Sequence, residues 1–140
     1  MAEKQRVPEA LRHYVRDRAL ERCKYCLLHE SDAYFPYEAD HLIAEKHGGL
    51  TTPQNLAWAC AICNYRKGTD IASNDPDTGH LARLYNPRIQ VWHCHFSLAG
   101  SHIDPLTAVG RVTVRILRLN DAEHLDEREL LVQFGVYPQP

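Results

Sequence analysis

Long hydrophobic runs are missing from this chain of 140 residues. Nothing approaches the roughly 20 apolar residues that cross a bilayer. The opening Met1-Ala2-Glu3-Lys4-Gln5-Arg6 lacks the apolar stretch of a secretory signal. These absences predict a soluble, cytoplasmic protein with no membrane partner. Internal repeats and low-complexity segments are missing as well. An excess of positive charge is also absent: the formal net charge is −2, so the average does not mark a nucleic-acid binder. With 44% apolar and 24% charged residues, the composition suggests neither disorder nor a coiled coil.

What is present is a local contrast of charge. Residues 1–24 carry Lys4, Arg6, Arg12, Arg16, Arg18, Arg22 and Lys24 against four acids, whereas residues 27–45 carry five acids and no lysine or arginine. The tail after Asn120 is acidic. A polyanion needs a local basic face, not a basic average. The length fits one domain over 1–140. It divides into an N-terminal helical segment (1–22), a metal-held core (23–71) and a C-terminal extension (72–140).

Pro8 suits a first helical turn, and Leu11, Tyr14, Val15 and Ala19 mark an apolar stripe, predicting a helix over 8–22. The arginines on its other side are either a solvated face or a phosphate-contacting one. Glu38 to Ala44 reads as a short strand, His47-Gly48-Gly49 as a turn, and Cys63 to Lys67 as a short helix stopped by Gly68. Asn74 to Gly79 is the clearest loop. Leu81 to Tyr85 reads as helical or irregular. Gln90 to Leu98 alternates as a strand, with Val91, His93 and His95 on one side and Trp92, Cys94 and Phe96 on the other. Gly100 turns that strand into another near His102-Ile103. Thr107 caps a helix to Leu119, with Arg111, Arg115 and Arg118 along it. A final amphipathic helix covers 122–134.

Five cysteines are present, four of them in two Cys-x-x-Cys pairs, Cys23/Cys26 and Cys60/Cys63, with 33 residues between the pairs. In a reducing compartment such pairs favour metal over disulfide. Two knuckles supply four thiolates, the tetrahedral set of a closed structural Zn²⁺ site with no position left for substrate. A redox pair and a chance pattern are the competing readings. Cys94 is left over and reads as a buried, inert thiol.

Between and after the cysteines lie Asp40-His41, Asn55 and Asn64. Phosphodiester hydrolysis needs a base to activate water and a cation to stabilise charge. Neutral histidine accepts protons near pH 7. A hard cation takes oxygen ligands, few of them from protein, and Asp40 and the Asn64 amide offer two. Taken singly, each residue also has a plain structural reading, as a surface pair, a turn residue or a helix cap.

The segment ADHLIAEKHGGLTTPQNLAWACAICNYRKG resembles the ββα-metal motif of the HNH endonucleases (the His-Me finger fold), with Asn64 in the third position where many carry His. The flanking cysteine pairs are similar to the zinc-stapled branch of that family. The resemblance spans residues 23 to about 70. It implies an α+β fold: a small ββα-metal core with a structural four-cysteine zinc site, an N-terminal helix and a C-terminal strand-plus-helix extension. It further implies metal-dependent hydrolysis of DNA, with His41 as general base and Asn55 tying down the loop that orients it. Asp40 and Asn64 would hold one Mg²⁺ or Mn²⁺, and the products would be a 5′-phosphate and a 3′-hydroxyl. His47, Arg66 and Lys67 are candidate DNA contacts, His47 equally a turn residue. His93 and His95 are either a second metal pair or ordinary strand positions. Arg111, Arg115 and Arg118 either clamp DNA or pair with the acidic tail. A zinc-finger-like binding module without cleavage is the alternative reading, and a structural zinc protein of a larger assembly the third. Nicking versus double-strand cutting depends on whether a second copy or a partner protein joins, and the sequence does not choose.

Overall fold

The computed structural model describes residues 6–139. Met1–Gln5, with Lys4 among the N-terminal bases, lie outside the described residues. Five helices and three two-stranded antiparallel sheets are found among the described residues, which makes the fold α+β. Among the same residues no helix is long and apolar enough to cross a membrane.

Helix α1 covers Glu9–Arg18. It ends four residues short of the expected Arg22, because Leu20 (φ 54°) and Glu21 (φ 60°) turn left-handed, a conformation uncommon outside glycine. Two bonds hold that reversal, Glu21 N–H to the Arg16 carbonyl (3.1 Å) and Glu30 N–H to the Glu21 carbonyl (2.8 Å). The break delivers the chain into the first knuckle. The arginines of α1 do not simply face solvent. Arg12 donates to the Tyr37 carbonyl at 2.7 Å and lies 4.8 Å over the Trp58 ring, and Arg18 donates to the carbonyls of Pro53 (3.0 Å) and Leu56 (2.8 Å).

Strand β1 (Glu38–His41) pairs antiparallel with β2 (Leu56–Ala59), placing Asp40 opposite Ala57 and His41 opposite Leu56. The expected strand ends at His41, three residues before Ala44. Helix α2 (Ala61–Lys67) follows at once, with Cys60 as its N-cap and Gly68 closing it. These three elements are the ββα unit.

In the extension, β3 (Ala72–Asn74) and β4 (Leu81–Arg83) form a hairpin around the 74–79 loop, so Leu81–Arg83 is a strand, not helical or irregular. Asp75 shapes the loop by accepting from Asp77 N–H (3.1 Å) and the Thr78 hydroxyl (3.0 Å). The expected strand over 90–98 is also corrected. Helix α3 covers Trp92–His95, and only Phe96–Ala99 is strand β5. Trp92 and Phe96 share one side in either conformation, since positions i and i+4 coincide for both periods. Both are buried, with rings 5.0 Å apart. Cys94, which a strand would send inward with them, is exposed, contrary to the buried thiol expected. His93 and His95 share no strand face. His95 bonds the Thr107 hydroxyl at 2.6 Å, while His93 stacks edge-on to Trp92 at 4.9 Å.

Strand β5 pairs with β6 (His102–Pro105). Helix α4 (Ala108–Leu117) starts at Thr107, whose hydroxyl accepts from Gly110 N–H, and α5 covers Ala122–Gln133. One continuous apolar core runs from Val15 and Ala19 through Trp58 and Phe96 to Ile103, Leu117 and Leu119. The C-terminal segment returns to the first knuckle, where the Tyr137 hydroxyl donates to the Cys26 carbonyl at 2.8 Å.

Candidate active site and metal centre

The two knuckles meet. Sulfur atoms of Cys23, Cys26, Cys60 and Cys63 all lie within 4.8 Å of one another, and all four residues are buried. The Cys26 and Cys60 sulfurs are 3.8 Å apart. A tetrahedron with metal–sulfur bonds of about 2.3 Å has edges of about 3.8 Å. In each knuckle the second cysteine's backbone N–H points at the first sulfur, at 3.5 Å for Cys26 on Cys23 and 3.4 Å for Cys63 on Cys60. Burial pushes the Cys23 thiol up, but hydrogen bonds from Cys26, Cys60 and Cys63 outweigh it and bring the thiol well below its ordinary value. Cys26 and Cys63 are driven well above theirs, chiefly by hydrogen bonds to the neighbouring sulfurs. Four clustered thiols cannot all ionise without a cation among them. The donor set therefore fits a metal, and four thiolates at this spacing suit zinc.

Across β1 lies the second constellation. The backbone of β1 ends at His41, and the loop after it is held by one side chain. Asn55 Oδ1 accepts from Ile43 N–H (2.9 Å), while its Nδ2 donates to the carbonyls of Ile43 (2.9 Å) and Leu50 (2.8 Å). Asn55 also accepts at its own carbonyl from Leu42 N–H (2.9 Å). Gly49 sits inside this clamp. A Cβ there would collide with the Ile43 carbonyl and lie 2.9 Å from Asn55 Nδ2. The His41 ring, in a residue 5% exposed, bonds through Nε2 to the Thr51 hydroxyl at 2.9 Å.

Asp40 points the other way along the strand, as alternation requires. Its carboxylate, 4% exposed, receives the Tyr25 hydroxyl at 3.0 Å and the Lys67 ammonium at 3.1 Å. Lys67 also donates to the His41 carbonyl at 3.0 Å. Asp40 in turn raises the Tyr25 phenol, second only to burial. Asn64, half-buried, lies one turn before Lys67 on the same side of α2. A carboxylate and an amide oxygen suit a hard cation by donor type, and the charge at Asp40 is already balanced in part by Lys67.

The structure thus sets Asp40 and His41 on opposite faces at the end of β1, Asp40 against Tyr25 and Lys67 and His41 against Thr51, with Asn55 holding the loop that follows and Asn64 on the adjoining helix. Arg66 and Lys67 face inward. Arg66 donates to the carbonyls of Leu117 (3.2 Å) and Arg118 (3.1 Å) and pairs with Asp121 at 2.6 Å. His47 is exposed. Arg111 makes two 2.8 Å bonds to Asp75 rather than to the acidic tail. Sequence reasoning missed Tyr25 and Thr51 as partners of Asp40 and His41. The signal for Tyr25 was its place inside a knuckle, which forces it into the core.

The HNH endonuclease family model matches residues 23–70, the stretch that holds both constellations. No curated protein and no solved structure matches significantly.

Proposed function

Taking the HNH match over residues 23–70 as premise, we propose that the protein is a metal-dependent endonuclease hydrolysing DNA phosphodiester bonds. The observation that carries this reading is the Asn55 clamp, which fixes the loop after His41 in a segment of matching family. His41 takes a proton from water, and its bond to Thr51 sets the ring's orientation. Asp40 and Asn64 would hold a Mg²⁺ or Mn²⁺, which when bound neutralises charge on the phosphate and the leaving oxygen. The four-cysteine zinc site is structural, because a closed thiolate shell leaves no open position. Residues 1–140 act as one nuclease domain, a reading supported by the continuous core. Four free, clustered thiols support a reducing, cytoplasmic setting.

The test is cleavage of supercoiled plasmid with Mg²⁺, Mn²⁺ or neither, beside His41→Ala. Metal-dependent nicking or linearisation that the variant loses, with zinc content and circular dichroism unchanged, is the expected result. Equal cleavage by His41→Ala would sink the assignment of the base. A binding module without cleavage is the second reading. The ammonium of Lys67 at Asp40 favours it, since a fixed cation already serves that carboxylate. Salt-dependent DNA binding with no cleavage in any divalent metal selects it.

A further inference from the structure

A cavity of about 120 Å³ opens between the ββα unit and the extension. Leu42 and Ile43, the two residues that follow His41, line it on one side together with Lys67. The Lys67 ammonium holds the Asp40 carboxylate (3.1 Å) and the His41 carbonyl (3.0 Å). The segment after β4 lines it as well, through Leu84, Tyr85, Asn86, Ile89 and Gln90. A ligand seated here therefore lies against the residues next to the candidate base.

Both segments are fixed by hydrogen bonds of the fold. Asn55 pins Ile43 through its N–H and its carbonyl, at 2.9 Å each. Tyr85 N–H donates to the Thr113 hydroxyl at 2.8 Å. In the turn that follows, Asn86 N–H donates to Gln90 Oε1 (2.8 Å) and Gln90 N–H to the Asn86 carbonyl (3.0 Å). A preformed pocket spares its ligand the cost of ordering it.

The lining chemistry is selective. Leu42, Leu84 and Tyr85 are buried, whereas the isoleucines Ile43, Ile71 and Ile89 line the same cavity with exposed side chains. Exposed aliphatic residues grouped around one cavity mark a binding surface, as scattered ones do not. Polar groups are few. Asn86 Oδ1 accepts from Arg88 N–H (2.9 Å) and Gln90 Oε1 is taken by Asn86 N–H, so each amide keeps an NH₂ with no protein partner among the described residues. The exposed side chains of Asp70 and Arg83 bring one charge of each sign. A phosphate would meet aliphatic walls and a carboxylate here, and Lys67 is already engaged. A flat, uncharged ring with acceptors on its edge meets apolar faces and two amide donors instead. The volume is close to the roughly 150 Å³ at which an apolar cavity admits benzene, the size of a single six-membered ring.

We propose that this cavity is a substrate subsite for one unstacked pyrimidine base of the strand presented for cleavage. The proposal rests on the nuclease reading for the choice of DNA. The ring packs against the isoleucines and Tyr85, and its carbonyl oxygens accept from the amides of Asn86 and Gln90. Taking a base out of a duplex is costly and out of a single strand cheap, so the subsite favours single-stranded or locally opened DNA.

The experiment is an NMR titration of the zinc-loaded protein without added divalent metal. The probes are a short oligothymidylate, an oligoadenylate and an abasic oligonucleotide of the same length and charge. The side-chain NH₂ signals of Asn86 and Gln90 and the methyl signals of Ile43, Ile71 and Ile89 are expected to move with thymidylate, less with adenylate, and not with the abasic strand. Ile71→Ala and Ile89→Ala, both at exposed positions, should each weaken thymidylate binding several-fold and leave its salt slope unchanged, because no phosphate contact is removed. Equal shifts with the abasic strand overturn the subsite, and adenylate shifts as large as those of thymidylate overturn its assignment to a pyrimidine. Shifts with no oligonucleotide overturn it too and leave an apolar side chain of a protein partner as the occupant. A protein that cuts plasmid while these signals stay still refutes the subsite alone. One that shows the shifts yet never cuts in any divalent metal refutes the nuclease reading and leaves the subsite standing.

Discussion

The Lys67 ammonium lies 3.1 Å from a carboxylate oxygen of Asp40, and both side chains are almost fully buried, at 3% and 4% exposure. Removing one partner of such a pair strands a charge in the interior, at a cost of about 3–5 kcal/mol. Lys67→Met is therefore expected to lower the urea midpoint of the zinc-loaded protein substantially. Adding Asp40→Asn to the same chain should recover part of the loss. A midpoint unchanged by Lys67→Met would mean that water or another group already serves Asp40.

Asn55→Ala removes three side-chain hydrogen bonds at once. At about 1 kcal/mol each, the expected destabilisation is roughly 2–3 kcal/mol, with cleavage lost and zinc retained. Asn55→Asp should be no better, because a carboxylate would then face the carbonyls of Ile43 and Leu50. Gly49→Ala should mimic both through its collision with Ile43. Full activity in Asn55→Ala would remove the clamp from the account of the site.

Cys60→Ser takes one sulfur from the cluster and weakens the cap of α2, where that sulfur accepts from Cys63 N–H. Structural zinc contributes about 10–16 kcal/mol in small metal-folded units, as much as a domain's whole stability of about 5–15 kcal/mol. The variant is expected to lose zinc and cooperative unfolding together. A zinc-free Cys60→Ser protein with the parent's circular dichroism would refute the structural role.

Asp75 gives a pH dependence of its own. Hydrogen bonds from Arg111 hold its carboxyl well below the usual carboxylate range. The folded state therefore prefers the ionised form. Its stabilising contribution is complete above the unfolded value of about 3.9 and is lost as pH falls from there toward the lower folded value. The difference in melting temperature between the parent and Asp75→Asn should be constant at neutral pH and shrink below about pH 4. Taking the difference cancels acid effects on the thiolates. A gap that widens with acidification would contradict the sign.

The parts of this fold that were legible in the sequence are those whose chemistry is local. Cys-x-x-Cys pairs must sit on knuckles, Gly68 must stop a helix, and Thr107 must cap one. What stayed hidden depended on partners distant in the chain. Lys67 follows Arg66 at the end of a short helix and reads as surface charge, yet its carboxylate is 27 residues away. The arginines of α1 lie opposite its apolar stripe, and nothing in the helical period shows that Arg12 and Arg18 reach over its edge to the residue before β1, to β2 and to the turn before β2. Strand β4 has three residues, too few for a period to declare itself. At 92–96 the two periods agree on Trp92 and Phe96 and differ over Cys94, so apolar content could not decide.

The hydrogen bond from Tyr137 to the Cys26 carbonyl spans 111 residues. The entropic cost of closing so long a loop grows only slowly with its length, but the contact forms only when the first knuckle and the segment around Tyr137 are both in place. The first knuckle thus carries a tether from Tyr137. Order in the segment around Tyr137 is thereby tied to order in the first knuckle, and a stretch far along the chain acquires a share in keeping the four-cysteine core assembled.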